Sequence, residues 1–129
     1  MASVFTQIIN REIPSNILWE DDNYIAFLDI STMRPGHTLV VPKKEVDYIF
    51  ELDDETYQGL FIAVKKISEA LKKASGADRI GVAVEGFFVP HAHVHLIPIN
   101  THEDFMAQNR EEQSDEQKAE MAEKIKREL

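Results

Sequence analysis

Residues 91–98 read HAHVHLIP, three histidines at alternate positions followed by an apolar stretch. Alternation is the period of a β-strand, in which residues two apart share a face and lie about 6.6 Å apart along the chain. The spacing predicts a strand over His91–Ile97, with the imidazoles on one face and the apolar residues between and after them facing the core. A polar outer face on an edge strand seldom needs three imidazoles in a row. This stretch is therefore the predicted site of chemistry.

The segments around this strand predict one α+β domain with an antiparallel sheet, because apolar residues alternate in short runs and follow helical spacing in others. Asp21-Asp22-Asn23 and Pro35-Gly36 are typical of turns between strands. The predicted elements are a short helix after Ser3, strands over 17–19, 24–28, 37–41 and 80–84, a long helix over Asp54–Ala74 that Gly76 ends, and a last helix from Ser114. We expect residues 1–129 to form a single domain.

The composition excludes several classes of function. With 14 Lys and Arg against 23 Asp and Glu, the net charge is −9, and no cationic cluster offers a grip on a nucleic acid polymer. The chain contains no cysteine, so disulfides and thiolate metal sites are excluded. No apolar run reaches the ~20 residues that cross a bilayer, and no basic segment with an apolar core opens the sequence. We therefore expect a cytoplasmic protein without a membrane partner.

A metal site is one interpretation of the histidines, since imidazole is a common zinc ligand. His91 and His95 lie about 13 Å apart on a flat strand, too far to converge on one ion. A His-x-His pair with a further ligand from His37 or His102 remains feasible. The sequence has no glutamate shortly after the pair, where a cupin-like site needs one.

Nucleophilic attack at phosphorus is the other interpretation. A neutral imidazole nitrogen can attack a phosphoryl group and form a covalent phosphoramidate. The attacking nitrogen must be unprotonated, so the opposite ring nitrogen should donate to a fixed acceptor such as a backbone carbonyl. Neighbouring histidines can then hold phosphate oxygens and protonate the leaving group. His93, flanked on both sides, is the predicted nucleophile.

The sequence resembles the histidine triad family, abbreviated HIT, in several blocks that follow one another in the family's order. HAHVHLIP matches the triad motif, His-x-His-x-His followed by apolar residues. The other matching blocks are Phe5–Ile9, Glu12-Ile13-Pro14, Glu20-Asp21-Asp22, Ala26–Ile30 and Pro35–Lys44. Because several blocks follow one another in this order over residues 4–98, a chance match is improbable.

The resemblance implies a HIT-like α+β fold with an antiparallel meander sheet, and residues 102–129 as a variable C-terminal extension. It implies a homodimer that hydrolyses or transfers nucleotides at the α-phosphate through a nucleotidyl-histidine intermediate, with no cofactor. The substrates would be dinucleoside polyphosphates, nucleoside phosphoramidates or adenylylated compounds. His93 matches the nucleophile, His95 the contact to phosphate and leaving group, His91 a buttress, and His37 a further histidine near the triad.

The nucleotide site also follows from the resemblance. Asp29 matches a carboxylate that accepts hydrogen bonds from ribose hydroxyls. The positions that match the apolar slot for the base are Phe5, Ile8, Phe27, Ile30 and Leu39. Backbone amides near Val89 would contact phosphate.

Departures from the family pattern keep two alternatives open. Residues 84–90 are shorter and more apolar than the polar phosphate loop of many members. Glu45 stands where many members carry histidine, and the cysteines of zinc-binding members are absent, so no structural zinc is expected. The alternatives are a nucleotide-binding regulatory module with little turnover and a His-coordinated metal protein.

Overall fold

The computed structural model describes residues 2–129, except for the side chain of Ala107. The described residues form three α-helices and five strands, with short 3₁₀ turns at Ile49–Glu51, His102–Phe105 and Ala107–Asn109. In chain order they are α1 Val4–Ile9, β1 Ile17–Glu20, β2 Tyr24–Leu28, β3 Thr38–Pro42, α2 Asp54–Ser75, β4 Arg79–Ala83, β5 Val94–Ile99 and α3 Asp115–Arg127. None of the helices in this part of the chain is long and apolar enough to cross a membrane.

The five strands form one antiparallel sheet in the order β1-β2-β3-β5-β4. The predicted α+β class and antiparallel sheet are confirmed. Strands β1 to β3 follow as a meander, and α2 then carries the chain to the far edge, so that β5 enters between β3 and β4. β5 therefore lies inside the sheet, where strands on both sides fix its position.

Helices cover the two faces of the sheet unequally. On one face α2 and α3 pack over the larger core, which includes Val94 and Leu96 of β5. On the other face α1 packs over a smaller apolar cluster of Phe5, Ile8, Ile25, Phe27, Leu39 and Val41. Burying each large apolar side chain contributes roughly 1.5–3 kcal/mol. The face under α1 is the one that the histidines share.

The predicted helix ends are confirmed because local chemistry sets them. The Ser3 hydroxyl accepts from the Thr6 amide at the start of α1, and Asp53 does the same for Thr56 at the start of α2. Gly76 ends α2 with φ 70°, a left-handed conformation that favours glycine. Ser114 and Gln117 form a capping box at the predicted start of α3.

The predicted strand over His91–Ile97 is wrong at its beginning, because β5 starts at Val94. The carbonyls that a longer ladder would use are occupied by imidazoles: His91 O accepts from the ring of His93, and Pro42 O accepts from the ring of His91. Pro42 also has no N–H to donate. The backbone at Ala92 is instead held by Val46, whose carbonyl accepts its amide at 2.7 Å.

Residues 104–118 form hydrogen bonds and ion pairs with the loop between β2 and β3. The Glu111 amide donates to Met33 O at 2.7 Å, and the Lys118 ammonium donates to Ile30 O at 2.6 Å. Arg34 forms ion pairs at 3.5 Å with both Asp104 and Glu111. The C-terminal segment thus fixes a loop that leads directly into the functional site.

Candidate active site

The three histidines of the triad are largely buried beside α1. His91 is fully buried, His93 is 6% exposed and the His95 side chain is half-buried. The Phe5 ring meets the rings of His91 and His93 edge to face, with centroids 5.8 and 4.8 Å apart. The expected alternation holds even where the strand does not, because Ala92, Val94 and Leu96 join the opposite core.

The proton on His93 is located by a main-chain acceptor. Nδ1 of His93 lies 2.7 Å from the carbonyl oxygen of His91. A carbonyl oxygen only accepts, so Nδ1 carries the hydrogen. In the neutral ring Nε2 then keeps its lone pair. This is the protonation state that a nucleophilic imidazole requires.

A chain of hydrogen bonds locates the protons of His37 and His95. The Met33 amide donates to Nδ1 of His37 at 3.0 Å, so the proton of the neutral ring is on Nε2. His37 Nε2 lies 3.0 Å from Nδ1 of His95, which therefore accepts. His95 is left with an N–H at Nε2. The His93 and His95 ring centroids are 4.9 Å apart, so the ring with the free lone pair and the ring with the N–H donor are neighbours.

Burial keeps these rings neutral. It lowers the pKa of His37 to about 4, although the Asp29 carboxylate 3.5 Å away acts in the opposite direction. Burial also lowers the pKa of His95, and the neighbouring His93 adds to that effect. The pKa of His91 is lowered by burial too. At neutral pH the rings of His37, His91 and His95 are therefore uncharged, with the Asp29 carboxylate beside His37 and His95 and the Glu45 carboxylate 3.9 Å from His91.

A metal could be considered at Asp29, His37 and His95, whose nearest ligand atoms are 3.0, 3.5 and 4.0 Å apart. Ligands about 2 Å from a tetrahedral ion have similar separations. However, the Met33 amide occupies Nδ1 of His37 and so leaves its proton on Nε2, the atom that would bind the ion. The donor set fits a hydrogen-bond chain better than a cation. His102 is exposed on the 3₁₀ turn after β5 and is not in this group.

His91 is held on both of its nitrogens. Its Nε2 donates to Pro42 O at 2.7 Å, and its Nδ1 accepts from the Ser3 hydroxyl at 2.7 Å. Glu45 closes the network by accepting from the Ser3 amide at 2.7 Å and from the Thr6 hydroxyl at 2.6 Å. The bond from Thr6, with that from Ser3, lowers the pKa of the Glu45 carboxyl to about 2.

Sequence reasoning missed this network. It identified Ser3 only as a helix cap, and Glu45 only as a departure from the family pattern. A bond between residues 88 positions apart has no local signal in the sequence. The role of Met33 was invisible for another reason, because its amide rather than its side chain takes part.

The residues expected to bind the nucleotide fall into three groups. Phe5, Ile8, Phe27 and Leu39 are buried together in the smaller apolar cluster, and Val89 packs against it. Asp29 points its Oδ2 at the His37–His95 pair, while its Oδ1 accepts from the Ser31 amide. Ile30 is 63% exposed beside a cavity of about 400 Å³ that Asp29 also lines.

Residues 85–90, the connection before the triad, expose their large apolar side chains instead of burying them. Phe87 and Phe88 are 88% and 93% exposed. The loop still contributes one backbone contact, since the Val89 carbonyl accepts from the His91 amide at 2.8 Å. Pro90 has no amide to offer a phosphate.

Comparison with known proteins decides the family. The HIT domain model matches residues 10–102, a span that contains His37 and the whole triad. The chain belongs to the HIT family. An uncharacterized HIT-like protein of Methanocaldococcus jannaschii is 42% identical over 74% of this chain and 77% of that relative.

Two further HIT proteins are informative. The adenosine 5'-monophosphoramidase hnt1 of Schizosaccharomyces pombe is 34% identical over 76% of this chain and 74% of its own. The crystal structure of a Hit-like protein involved in cell-cycle regulation from Bartonella henselae superposes with a TM-score of 0.85 at 38% identity. The superposition covers 98% of this chain and 96% of that one, so the structural similarity extends into α3.

Proposed function

We propose that this HIT protein is a nucleotide hydrolase or transferase that acts at the α-phosphate of a nucleotide conjugate through a covalent nucleotidyl-His93 intermediate. The observation that carries the proposal is the bond from His93 Nδ1 to the His91 carbonyl. That bond leaves a lone pair on Nε2 of His93, whose ring is the neighbour of the His95 ring that carries an N–H. Covalent attack by such a nitrogen divides one displacement at phosphorus into two easier ones.

The first half-reaction joins His93 Nε2 to the α-phosphorus while the bond from phosphorus to the leaving group breaks. The leaving group departs with that electron pair, and one that needs a proton takes it from Nε2 of His95. The bound phosphate brings negative charge beside His95, which favours a second proton on that ring, taken up from solvent at Nδ1 in place of the hydrogen bond from His37, so that Nε2 can release its own. Water then attacks phosphorus, and the N–P bond returns its electron pair to His93. The water proton goes to Nε2 of His95 where that nitrogen has given its proton to the leaving group, and to solvent where it has not.

The surroundings of the triad support a nucleoside as the transferred group. Asp29 offers a charged acceptor for a pair of ribose hydroxyls, next to His37 and His95. We assign the base to the apolar surface that shares the triad's side of the sheet. The apolar cluster on that side comprises the buried Phe5, Ile8, Phe27 and Leu39, with the half-buried Val89 packed against it, and Ile30 is exposed at the cavity that Asp29 lines.

The relative named adenosine 5'-monophosphoramidase supports a phosphoramidate as one substrate class. Dinucleoside polyphosphates and adenylylated compounds present the same α-phosphate and are included in the proposal. The test is to incubate each class with the protein, quench in acid-free denaturant and map any nucleotidyl adduct by mass spectrometry. An adduct on His93 is expected. An adduct confined to His91 or His95 would contradict the assignment.

A second candidate function is nucleotide binding with little turnover. It is favoured by the loop over residues 85–90, which offers phosphate no polar side chain except the acidic Glu85. Tight nucleotide binding without turnover of any of the three substrate classes would favour it.

We further propose that the protein is a cytoplasmic homodimer. β4 is an edge strand of the sheet, and Val82 on it is an exposed apolar side chain, as is Ile62 on α2. Such a surface suits a second copy related by a two-fold axis. Light scattering at micromolar concentration should give twice the 14.8 kDa of the chain, and a mass of one chain at every concentration would contradict the dimer.

A further inference from the structure

We propose that Glu45 is a positioning residue for the nucleophile: acting through the hydroxyl residues at the start of α1, it fixes the ring of His91 and thereby the tautomer of His93. The inference rests on the role of His93 proposed above. It assigns a part in the reaction to α1 and to the segment after β3, neither of which contains a triad histidine.

The first step is the attachment of α1 to Glu45. One carboxylate oxygen of Glu45 accepts from the Ser3 amide at 2.7 Å and from the Thr6 hydroxyl at 2.6 Å. Charge-assisted bonds of this length are the stronger kind of hydrogen bond. They hold the first turn of α1 against the segment that follows β3.

The second step is the attachment of His91 to that turn. The Ser3 hydroxyl accepts from the Thr6 amide at 3.1 Å and donates to His91 Nδ1 at 2.7 Å. Thr6 Oγ1 lies 3.4 Å from the same nitrogen, but its hydrogen is directed to Glu45. The carboxylate therefore decides which hydroxyl serves His91. With Nε2 bonded to Pro42 O and no exposed surface, the ring of His91 has one orientation and one tautomer.

The third step leads from the His91 ring to His93. Because β5 begins at Val94, no ladder bond fixes the carbonyl of His91. That carbonyl is located by the ring of its own residue and by the flanking amides, which donate to Val89 O and Val46 O. The same carbonyl accepts from His93 Nδ1. If the ring of His91 turns, the acceptor moves and the lone pair on His93 Nε2 is no longer assured.

The chain contains a matched control at the start of α2. Asp53 accepts from the Thr56 amide and from the Thr56 hydroxyl at 2.6 Å, and these bonds lower the pKa of its carboxyl to about 2. Glu45 and Asp53 are thus two carboxylates with the same kind of partners at the beginning of a helix. Only the network of Glu45 continues to a histidine.

The test compares Glu45→Ala, Glu45→Gln, Ser3→Ala and Asp53→Ala in the full-length protein. Imidazole ¹⁵N chemical shifts report the tautomers of His91 and His93 directly, and turnover is measured on a nucleoside phosphoramidate. For Glu45→Ala and Ser3→Ala we expect mixed tautomers and a fall in kcat of about 10- to 100-fold with KM little changed, the cost of a small misplacement of a reacting group. Glu45→Gln keeps an acceptor oxygen and should restore the wild-type ¹⁵N pattern.

Circular dichroism identifies a temperature at which all four variants are folded, so that loss of α1 is not mistaken for loss of position. Asp53→Ala should lower stability and leave both the tautomers and kcat unchanged. Wild-type ¹⁵N shifts in both Glu45→Ala and Ser3→Ala would overturn the inference, as would an equal loss of kcat in Asp53→Ala. The tautomers can be read without turnover, so an inactive wild-type protein would refute the proposed function and still decide this inference.

Discussion

Two adjacent segments of the chain reverse the usual distribution of polar and apolar side chains. Residues 91–95 place three imidazoles in the interior, whereas residues 85–90 expose two phenylalanines almost completely. The difference lies in the partners. Each ring of the triad has a hydrogen-bond partner within the chain, and the two phenylalanine rings have little of the chain around them. The triad is therefore organised before any substrate arrives, and the loop is not.

This contrast has an energetic side. A buried polar group without a partner costs roughly 1–3 kcal/mol, so three buried imidazoles are tolerable only because each is paired. An exposed phenylalanine forgoes roughly 1.5–3 kcal/mol of possible burial, which becomes available when something covers it. Covering the two loop rings would therefore add to the free energy of binding of whatever covers them, next to a site whose geometry is already fixed.

The largest effect on turnover is expected in the buried segment. His93→Ala removes the atom that attacks phosphorus, so turnover should fall by about 10³-fold or more, as when other nucleophiles are removed. Binding of the nucleoside monophosphate product should change little, because the pocket keeps its other groups. Steady-state kinetics and calorimetry measure the two quantities. An active His93→Ala variant would remove the nucleophile from the proposal.

His95→Ala should have a smaller effect that depends on the substrate. The residue supplies the proton for the leaving group, so we expect a loss of about 10²- to 10⁴-fold for poor leaving groups such as alkylamines. Leaving groups that need no proton should be affected much less. A series of phosphoramidates graded by amine pKa measures this dependence. An equal loss across the series would show that His95 only binds phosphate.

The burial of His37 predicts a stability that depends on pH. His37 has a pKa of about 4 in the folded protein against 6.5 for the free side chain, so the unfolded chain binds more protons between these values. The contribution of His37 to the free energy of unfolding should therefore be fully present above pH 6.5. The free energy should fall by up to roughly 3 kcal/mol as the pH drops to 4. Urea denaturation across this range measures the slope. His37→Gln should reduce this slope without abolishing it, because burial lowers the pKa of His91 and of His95 as well.

The smallest effect is expected in the exposed loop. Phe87→Ser and Phe88→Ser should change the free energy of unfolding by less than about 0.5 kcal/mol, since neither ring is packed. Phe27→Ala, in the apolar cluster beneath the triad, should cost about 3–5 kcal/mol. Urea denaturation of the three variants compares the two environments. A large loss from either loop variant would mean that the phenylalanines are already covered in solution.

Sequence reasoning succeeded where a structural cause is local. Ser114 with Gln117, and Gly76 after an apolar helical stripe, determine helix ends from a few neighbouring residues. It also placed His37 near the triad, through the family resemblance. It failed at the start of β5, because whether residues 91–93 pair as a strand depends on ring contacts to the carbonyls of His91 and Pro42. The partners of His91 were equally hidden, since Ser3 and Glu45 approach it only in the folded chain.

Main-chain groups set the proton on three of the four rings described above: the carbonyl of His91 for His93, the amide of Met33 for His37, and the carbonyl of Pro42 for His91. The ring of His37 sets the proton on His95. A substitution alters side chains and leaves the main-chain groups in place. Almost any residue at position 33 supplies the same amide, and proline alone removes it. The proton on His37 is therefore robust to mutation at position 33, and relatives with a different residue there can share it unchanged.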